Sequence, residues 1–126
     1  MTNYSKNPYK KVKHAPWGKY EQVLFNQLGT IKLVHVKKGE KISLQMHATR
    51  DEYWKVLAGS PTIQLGPPDD IQSYSSKKGD EFFIPKNTAH QASALKGKVL
   101  LLAVSYGKFN LDDKVRIHDE YGRHKK

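Results

Sequence analysis

GEKISLQMHATRDEYWKVLAG, residues Gly39 to Gly59, is the stretch around which the rest of the chain is read. Gln45 and His47 stand two positions apart, and on a strand positions i and i+2 point to one face. The pair therefore projects together, while Ile42, Leu44 and Met46 are expected on the opposite face. Glu52 follows five residues after His47, far enough for a short bend to bring it back beside the pair. Gly39 and Gly59 bound the stretch as turn residues. A fourth candidate, His90, arrives later, after GDEFFIPKNTAH. One amide oxygen, two imidazoles and one carboxylate form a nitrogen and oxygen donor set suited to a divalent transition metal.

Working outward, the chain reads as many short strands separated by Gly and Pro turns. Strands are predicted over 20–25, 30–36, 42–47, 52–57, 62–65, 71–75, 81–84, 90–94 and 98–106, the last being the longest apolar run and the expected centre of a sheet. Residues 1–14 are polar and basic and read as an N-terminal arm, ordered only by docking; residues 15–126 read as the barrel. Pro16-Trp17-Gly18 is a turn carrying a large apolar anchor, and both Trp17 and Trp54 are expected in the core. The tail from 111 to 123 reads as a short helical turn and an extended end. Such a pattern, without helical periodicity, predicts an all-β, antiparallel sandwich or barrel whose mouth suits a ligand.

The chain has 126 residues, which is one domain's worth. It holds 22 Lys and Arg against 12 Asp and Glu, a net charge of +10, and a field of that sign attracts anions. No helical stripe of basic residues and no nucleic-acid-binding signature is present, so no specific nucleic acid is expected. No apolar run reaches the ~18 residues of a membrane span, and the first residues lack the apolar segment of a secretory signal. No membrane association is expected, and the cytoplasm is the default location. With no cysteine, thiolate ligands and disulfides are excluded.

The spacing around these residues resembles the two cupin motifs. Gly39, five residues, Gln45-x-His47, four residues, Glu52, six residues and Gly59 are similar to the first motif, with Gln45 in place of a histidine. Gly79, five residues, Pro85-x-Asn87, two residues and His90 are similar to the second. Asn87 stands where that motif carries glycine, a substitution its tolerance of left-handed backbone angles permits. Ala94 replaces the motif's closing asparagine. More narrowly, Ser43–His47 with Glu52 and Trp54, Pro16-Trp17-Gly18-x-Tyr20-Glu21, and Asp112-Asp113-x-Val115-Arg116 with Asp119-x-Tyr121-Gly122-Arg123 resemble the C-terminal isomerase domain of bifunctional mannose-1-phosphate guanylyltransferase/mannose-6-phosphate isomerases. The resemblance covers about residues 15–123. Ala48 and Thr49 depart from it, standing where the family often carries histidines. Nothing in these residues resembles the guanylyltransferase domain, so nucleotide-sugar synthesis is not expected of them.

The resemblance implies a double-stranded β-helix, the cupin jelly roll, and a metal-dependent aldose–ketose isomerase acting on a phosphorylated monosaccharide, mannose 6-phosphate to fructose 6-phosphate. It implies Gln45, His47, Glu52 and His90 as ligands of one divalent ion, zinc first, with manganese, iron, nickel or cobalt as alternatives. Without it, Gln45 reads equally as a core amide bonded to backbone. Arg50, between His47 and Glu52, and Arg116 and Arg123, which lie in the family's terminal signature, are the expected catalytic and substrate-binding residues. Arg50 reads otherwise as a surface charge at the site's mouth, and Arg116 and Arg123 as partners of Asp112, Asp113, Asp119 or Glu120. Lys86, beside Pro85, is a further phosphate contact. His14, His35, His118 and His124 have no partners at useful spacing.

Three other functions compete: a non-catalytic sugar- or anion-binding cupin that keeps the metal site, another metal-dependent cupin enzyme, and an accessory protein that binds nucleic acid through charge alone. A homodimer is expected, formed through an edge strand or an exchanged arm. Ile42, Leu44 and Met46 are candidates for that contact unless they pack between the protein's own sheets.

Overall fold

The computed structural model describes residues 4–108 and 113–118. Eleven strands and no helix form among them: β1 (Lys11–Ala15), β2 (Gly18–Gln22), β3 (Gly29–Val36), β4 (Leu44–Met46), β5 (Asp51–Ala58), β6 (Thr62–Gly66), β7 (Gln72–Ser75), β8 (Glu81–Ile84), β9 (Ala89–Ser93), β10 (Val99–Tyr106) and β11 (Val115–His118). Among the described residues no helix is long and apolar enough to cross a membrane. β1 and β2 make a hairpin. The other strands make a four-stranded sheet, β3-β10-β5-β8, and a five-stranded sheet, β11-β4-β9-β6-β7, antiparallel throughout. This is the all-β jelly roll expected from the sequence.

The main core lies between the two sheets. Trp54 and Val56 on β5, Phe82 and Ile84 on β8, and Val99, Leu101 and Ala103 on β10 face Ile63 and Leu65 on β6 and Ala92 on β9. The alternate residues Tyr53, Phe83, Val104 and Tyr106 form a second cluster on the opposite face of the four-stranded sheet. That face is covered too, by Tyr9, Val23 and Leu24. Burial on both faces explains why β5 and β10 read as nearly continuous apolar runs rather than as alternations.

The arm docks on this outer face. Tyr9 stacks on Tyr106 with ring centroids 3.8 Å apart and donates to Asp51 Oδ2 at 2.8 Å. Lys10 Nζ lies 2.8 Å from both Glu21 and Glu81, and the N–H of Phe83 donates to the Tyr4 carbonyl at 2.5 Å. Residues 11–15 form β1, paired to β2 from Lys11↔Gln22 to Ala15↔Gly18, a strand the sequence did not announce. Val23 and Leu24, expected within a strand, instead leave β2 to cover the second cluster.

Two expectations about apolar residues are corrected. Trp17 is 72% exposed. It sits at the hairpin turn, stacked on Tyr20 at 6.4 Å, and β1 and β2 are themselves almost wholly exposed. Ile42 does not share an outward face with Leu44 and Met46; it packs on the main core and lines the cavity beside Gln45. The chain is irregular at residues 42–43, between the isolated Lys41↔Ser93 bridge and β4. A one-residue irregularity changes which face a side chain takes.

Candidate metal centre

β4 and β9 lie side by side with Gln45 opposite His90. His90 and Ala92 alternate onto the inner face of β9, as Glu52, Trp54 and Val56 do on β5. His47 follows β4 directly, and its carbonyl accepts from the N–H of Asn87 at 2.7 Å. Asn87 has φ 61°, the left-handed conformation that its place in the second motif requires. Gln45, His47 and His90 thus come from one sheet and Glu52 from the other. His47, Glu52 and His90 each offer a donor atom, all within 4.8 Å of one another, and all three are buried.

The hydrogen bonds behind these side chains fix which atom each presents. His47 Nδ1 lies 2.6 Å from the Asp113 carbonyl, and His90 Nδ1 lies 2.9 Å from the Thr88 carbonyl. A carbonyl only accepts, so Nδ1 of each ring carries its proton and Nε2 is left facing the cavity. Burial pushes His90 well down, to about 4, against the pull of Glu52, so the ring is neutral. Neutral imidazole is the ligating form. Burial alone would raise Glu52, yet the carboxyl is held at about 2, with the permanently charged Arg50 guanidinium against its Oε2. Trp54 meets His90 edge-on at 5.3 Å and donates from Nε1 to Glu52 Oε1 at 3.3 Å.

The centre is rich in acceptors and therefore fits a cation. His47 Nε2 and Glu52 Oε2 are 3.1 Å apart, and positive charge is what holds two such groups together. Gln45 Oε1 is buried without a hydrogen-bond partner, a state that costs about 1–3 kcal/mol unless something satisfies it. Ser105 Oγ donates to Glu52 Oε2 at 3.3 Å. Gln45, His47, Glu52 and His90 all line one cavity of about 140 Å³, together with Lys32, Val34, Ile42, Arg50, Trp54, Ala103 and Lys114.

The arginines and Lys86 are placed less uniformly. Arg50 is neither a surface charge nor a group at the mouth: it is 3% exposed, with Nε 3.1 Å from Glu52 Oε2 and Nη2 3.2 Å from His47 Nε2. Arg116 stands opposite Gln45 in the β11–β4 ladder. Arg123 lies outside the described residues. Lys86 is exposed and is not among the residues lining the cavity; its backbone N–H donates to Asp51 Oδ1 at 2.9 Å.

Three residues that the sequence reading passed over belong to the site. The Asp113 carboxylate accepts the N–H groups of Ala48 and Thr49 at 2.7 and 2.8 Å, and the Thr49 hydroxyl as well. With its carbonyl on His47, Asp113 clips the segment before β11 onto the site; the sequence offered it as part of the terminal signature and as a partner for an arginine, and gave it no role at the metal centre. Lys32 and Lys114 line the cavity, and no motif marked either.

The chain matches the family model described as mannose-6-phosphate isomerase C-terminal over residues 2–119. It is 32% identical over 113 residues to the mannose-1-phosphate guanylyltransferase ManC of Salmonella typhimurium, a match that takes in 87% of this chain and 22% of that protein. The chain thus spans less than a quarter of that relative's length. Among solved structures it is similar to the capsular polysaccharide assembling protein CapF of Staphylococcus aureus, with TM-score 0.66, 16% identity, 86% of this chain and 34% of that one. It is also similar to the dTDP-6-deoxy-D-glucose-3,5-epimerase RmlC of Legionella pneumophila, with TM-score 0.64, 14% identity, 87% of this chain and 70% of that one. At these identities the structural likenesses speak for the fold.

Proposed function

The chain belongs to the mannose-6-phosphate isomerase C-terminal family, and from that we propose that its cavity is the active site of a metal-dependent aldose–ketose isomerase taking a phosphorylated sugar, mannose 6-phosphate first. The observation that carries the reading is the convergence of His47, Glu52 and His90 in one cavity that Gln45, with its buried and unpartnered Oε1, also lines. These four would hold the ion, zinc by first choice among zinc, manganese, iron, nickel and cobalt. When bound it would supply Lewis-acid polarisation of the sugar carbonyl.

The chain's own residues do the rest. Asp113 and Thr88 hold the two imidazoles in their ligating tautomer. Trp54 fixes the His90 ring and, with Val34, Ile42 and Ala103, gives the cavity an apolar wall that strengthens electrostatic contacts inside it. Arg50 places a permanent positive charge beside Glu52 and is our candidate for contact with the reacting oxygens, with Arg116, Arg123 and Lys86 as further substrate contacts. A phosphate remote from the reacting carbons supplies positioning energy. We place the protein in the cytoplasm and expect it to act as a homodimer.

A coupled assay on mannose 6-phosphate, with added zinc, manganese or cobalt, tests the reading. Fructose 6-phosphate should appear with metal, and H90A should lose both bound metal and turnover. Full activity in a metal-stripped preparation would refute it. Ala48 and Thr49, which bring no ionisable side chain to positions where the family often has histidine, favour a second reading: a sugar-phosphate-binding cupin without turnover. Calorimetry showing binding with no isomerisation over hours would select that one.

A further inference from the structure

The cavity encloses about 140 Å³, well below the roughly 300 Å³ at which pockets begin to bury a whole small-molecule ligand. A substrate reacting at its floor must therefore extend past its mouth. Lys32 and Lys114 line it, Lys32 exposed and Lys114 half-buried. Lys32 lies on β3, an end strand of the four-stranded sheet; Lys114 immediately precedes β11, an end strand of the five-stranded sheet. The two residues thus line the cavity from opposite sheets. Lys32 shares its strand face with Val34, another lining residue. Directly across from it in the β3–β10 ladder stands Ala103, whose methyl group leaves the wall open. The third cation of the lining, Arg50, is buried against Glu52 and His47.

Resting on the isomerase reading, we propose that Lys32 and Lys114 grip the phosphate of the sugar at the cavity mouth and set the preference for phosphorylated over unphosphorylated substrate. Two flexible ammonium groups on opposite walls suit a tetrahedral dianion whose distance from the reacting carbons is fixed by the sugar and not by the protein. Such a contact binds ground state and transition state alike, so its loss falls mainly on KM.

The experiment uses the metal-loaded full chain with K32A, K114A, the double variant and the charge-retaining K32R/K114R. Probes are mannose 6-phosphate, mannose and inorganic phosphate. In the double variant, KM for mannose 6-phosphate should rise by about tenfold or more, with the smaller effect on kcat. The preference over mannose should fall by the same factor, and inorganic phosphate should weaken as a competitor. K32R/K114R should restore much of each loss, and metal content and urea midpoint should match the wild type in every variant. An active enzyme whose double variant keeps its KM and its phosphate inhibition overturns the assignment and leaves the isomerase reading standing. Wild type that binds mannose 6-phosphate through these lysines, measured by calorimetry, but never isomerises it overturns the isomerase reading and upholds the assignment. A wild type that binds neither phosphate nor mannose 6-phosphate overturns both.

Discussion

The guanidinium of Arg50 touches the same two atoms, Glu52 Oε2 and His47 Nε2, that face the centre of the cavity. It therefore supplies the charge that a buried carboxylate needs. Removing one partner of a buried ion pair costs about 3–5 kcal/mol, because the other is left uncompensated. R50A should lose about that much stability in metal-free protein, and markedly less once zinc is added, since a cation bound only by the folded state restores stability by mass action. Urea unfolding with and without zinc measures the difference; an equal loss in both conditions would show that Glu52 gains nothing from the ion. At this scale the four acceptors were legible, because fixed spacing within two motifs marks them and the fold preserves it. Arg50 was not placed correctly, since nothing in the sequence says that a charged residue three positions after His47 turns inward. Lys32 was lost among many lysines of identical local character, and Asp113 acts through a turn more than sixty residues away in the chain.

Among the elements, the strands buried on both faces were the readable ones. β5, β8 and β10 announced themselves by apolar density, and β10 is interior to its sheet, as expected. β1 was silent because its residues are mostly exposed, so no alternation records its pairing. The segment before it is held by groups whose ionisation reports docking. The Tyr9 hydroxyl is pushed up to about 12, first by its hydrogen bond to Asp51 and then by burial and the charge of Asp51. Tyr53 is raised by burial and by Glu81. Lys10 is raised because its bonds to Glu21 and Glu81 outweigh burial. A phenol raised in the folded state contributes stability that is complete below its unfolded value of 10 and is lost as pH climbs through the folded value. Stability should therefore fall between pH 10 and about 12. Y9F should be less stable at neutral pH and show a shallower fall across that window, the remainder belonging to the other raised groups, Tyr4, Tyr53, Tyr106 and Lys10. Urea titrations at stepped pH measure both slopes, and an unchanged slope in Y9F would detach Tyr9 from the effect.

For the molecule as a whole, the outer edge of β3 is the conspicuous boundary. Among the described residues no strand pairs there, and Ile31 and Leu33 are each 57% exposed on the same strand. Long apolar edges invite pairing, and we expect two copies to meet at this one, with Ile42 withdrawn from that role by its inward packing. Sedimentation in moderate salt should give a dimer for the wild type and a monomer for I31K/L33K. A wild-type monomer at every concentration would remove the expectation. An antiparallel sandwich or barrel was legible from turn spacing and strand length, and the jelly roll from the motif resemblance, but the hairpin's separation from both sheets was not, because pairing partners are a property of the assembled fold and not of any window of sequence.

The pairing order also sets a timetable for synthesis. Among the described residues, β3 pairs only with β10, and β4 only with β9 and β11. A ribosome therefore releases the first two sheet strands long before their partners exist, and the nascent chain must hold Val34 and Val36, which pack in the main core, in water until residue 99 and beyond have emerged. Glu52 leaves the tunnel before His90, and His90 before Asp113, so the cavity is completed only after most of the sheet strands have emerged. Such non-local pairing folds slowly and exposes unpaired edges while it waits. Pausing between Glu52 and Asp113, while β3 and β4 wait for their partners, is where yield of soluble product would be decided.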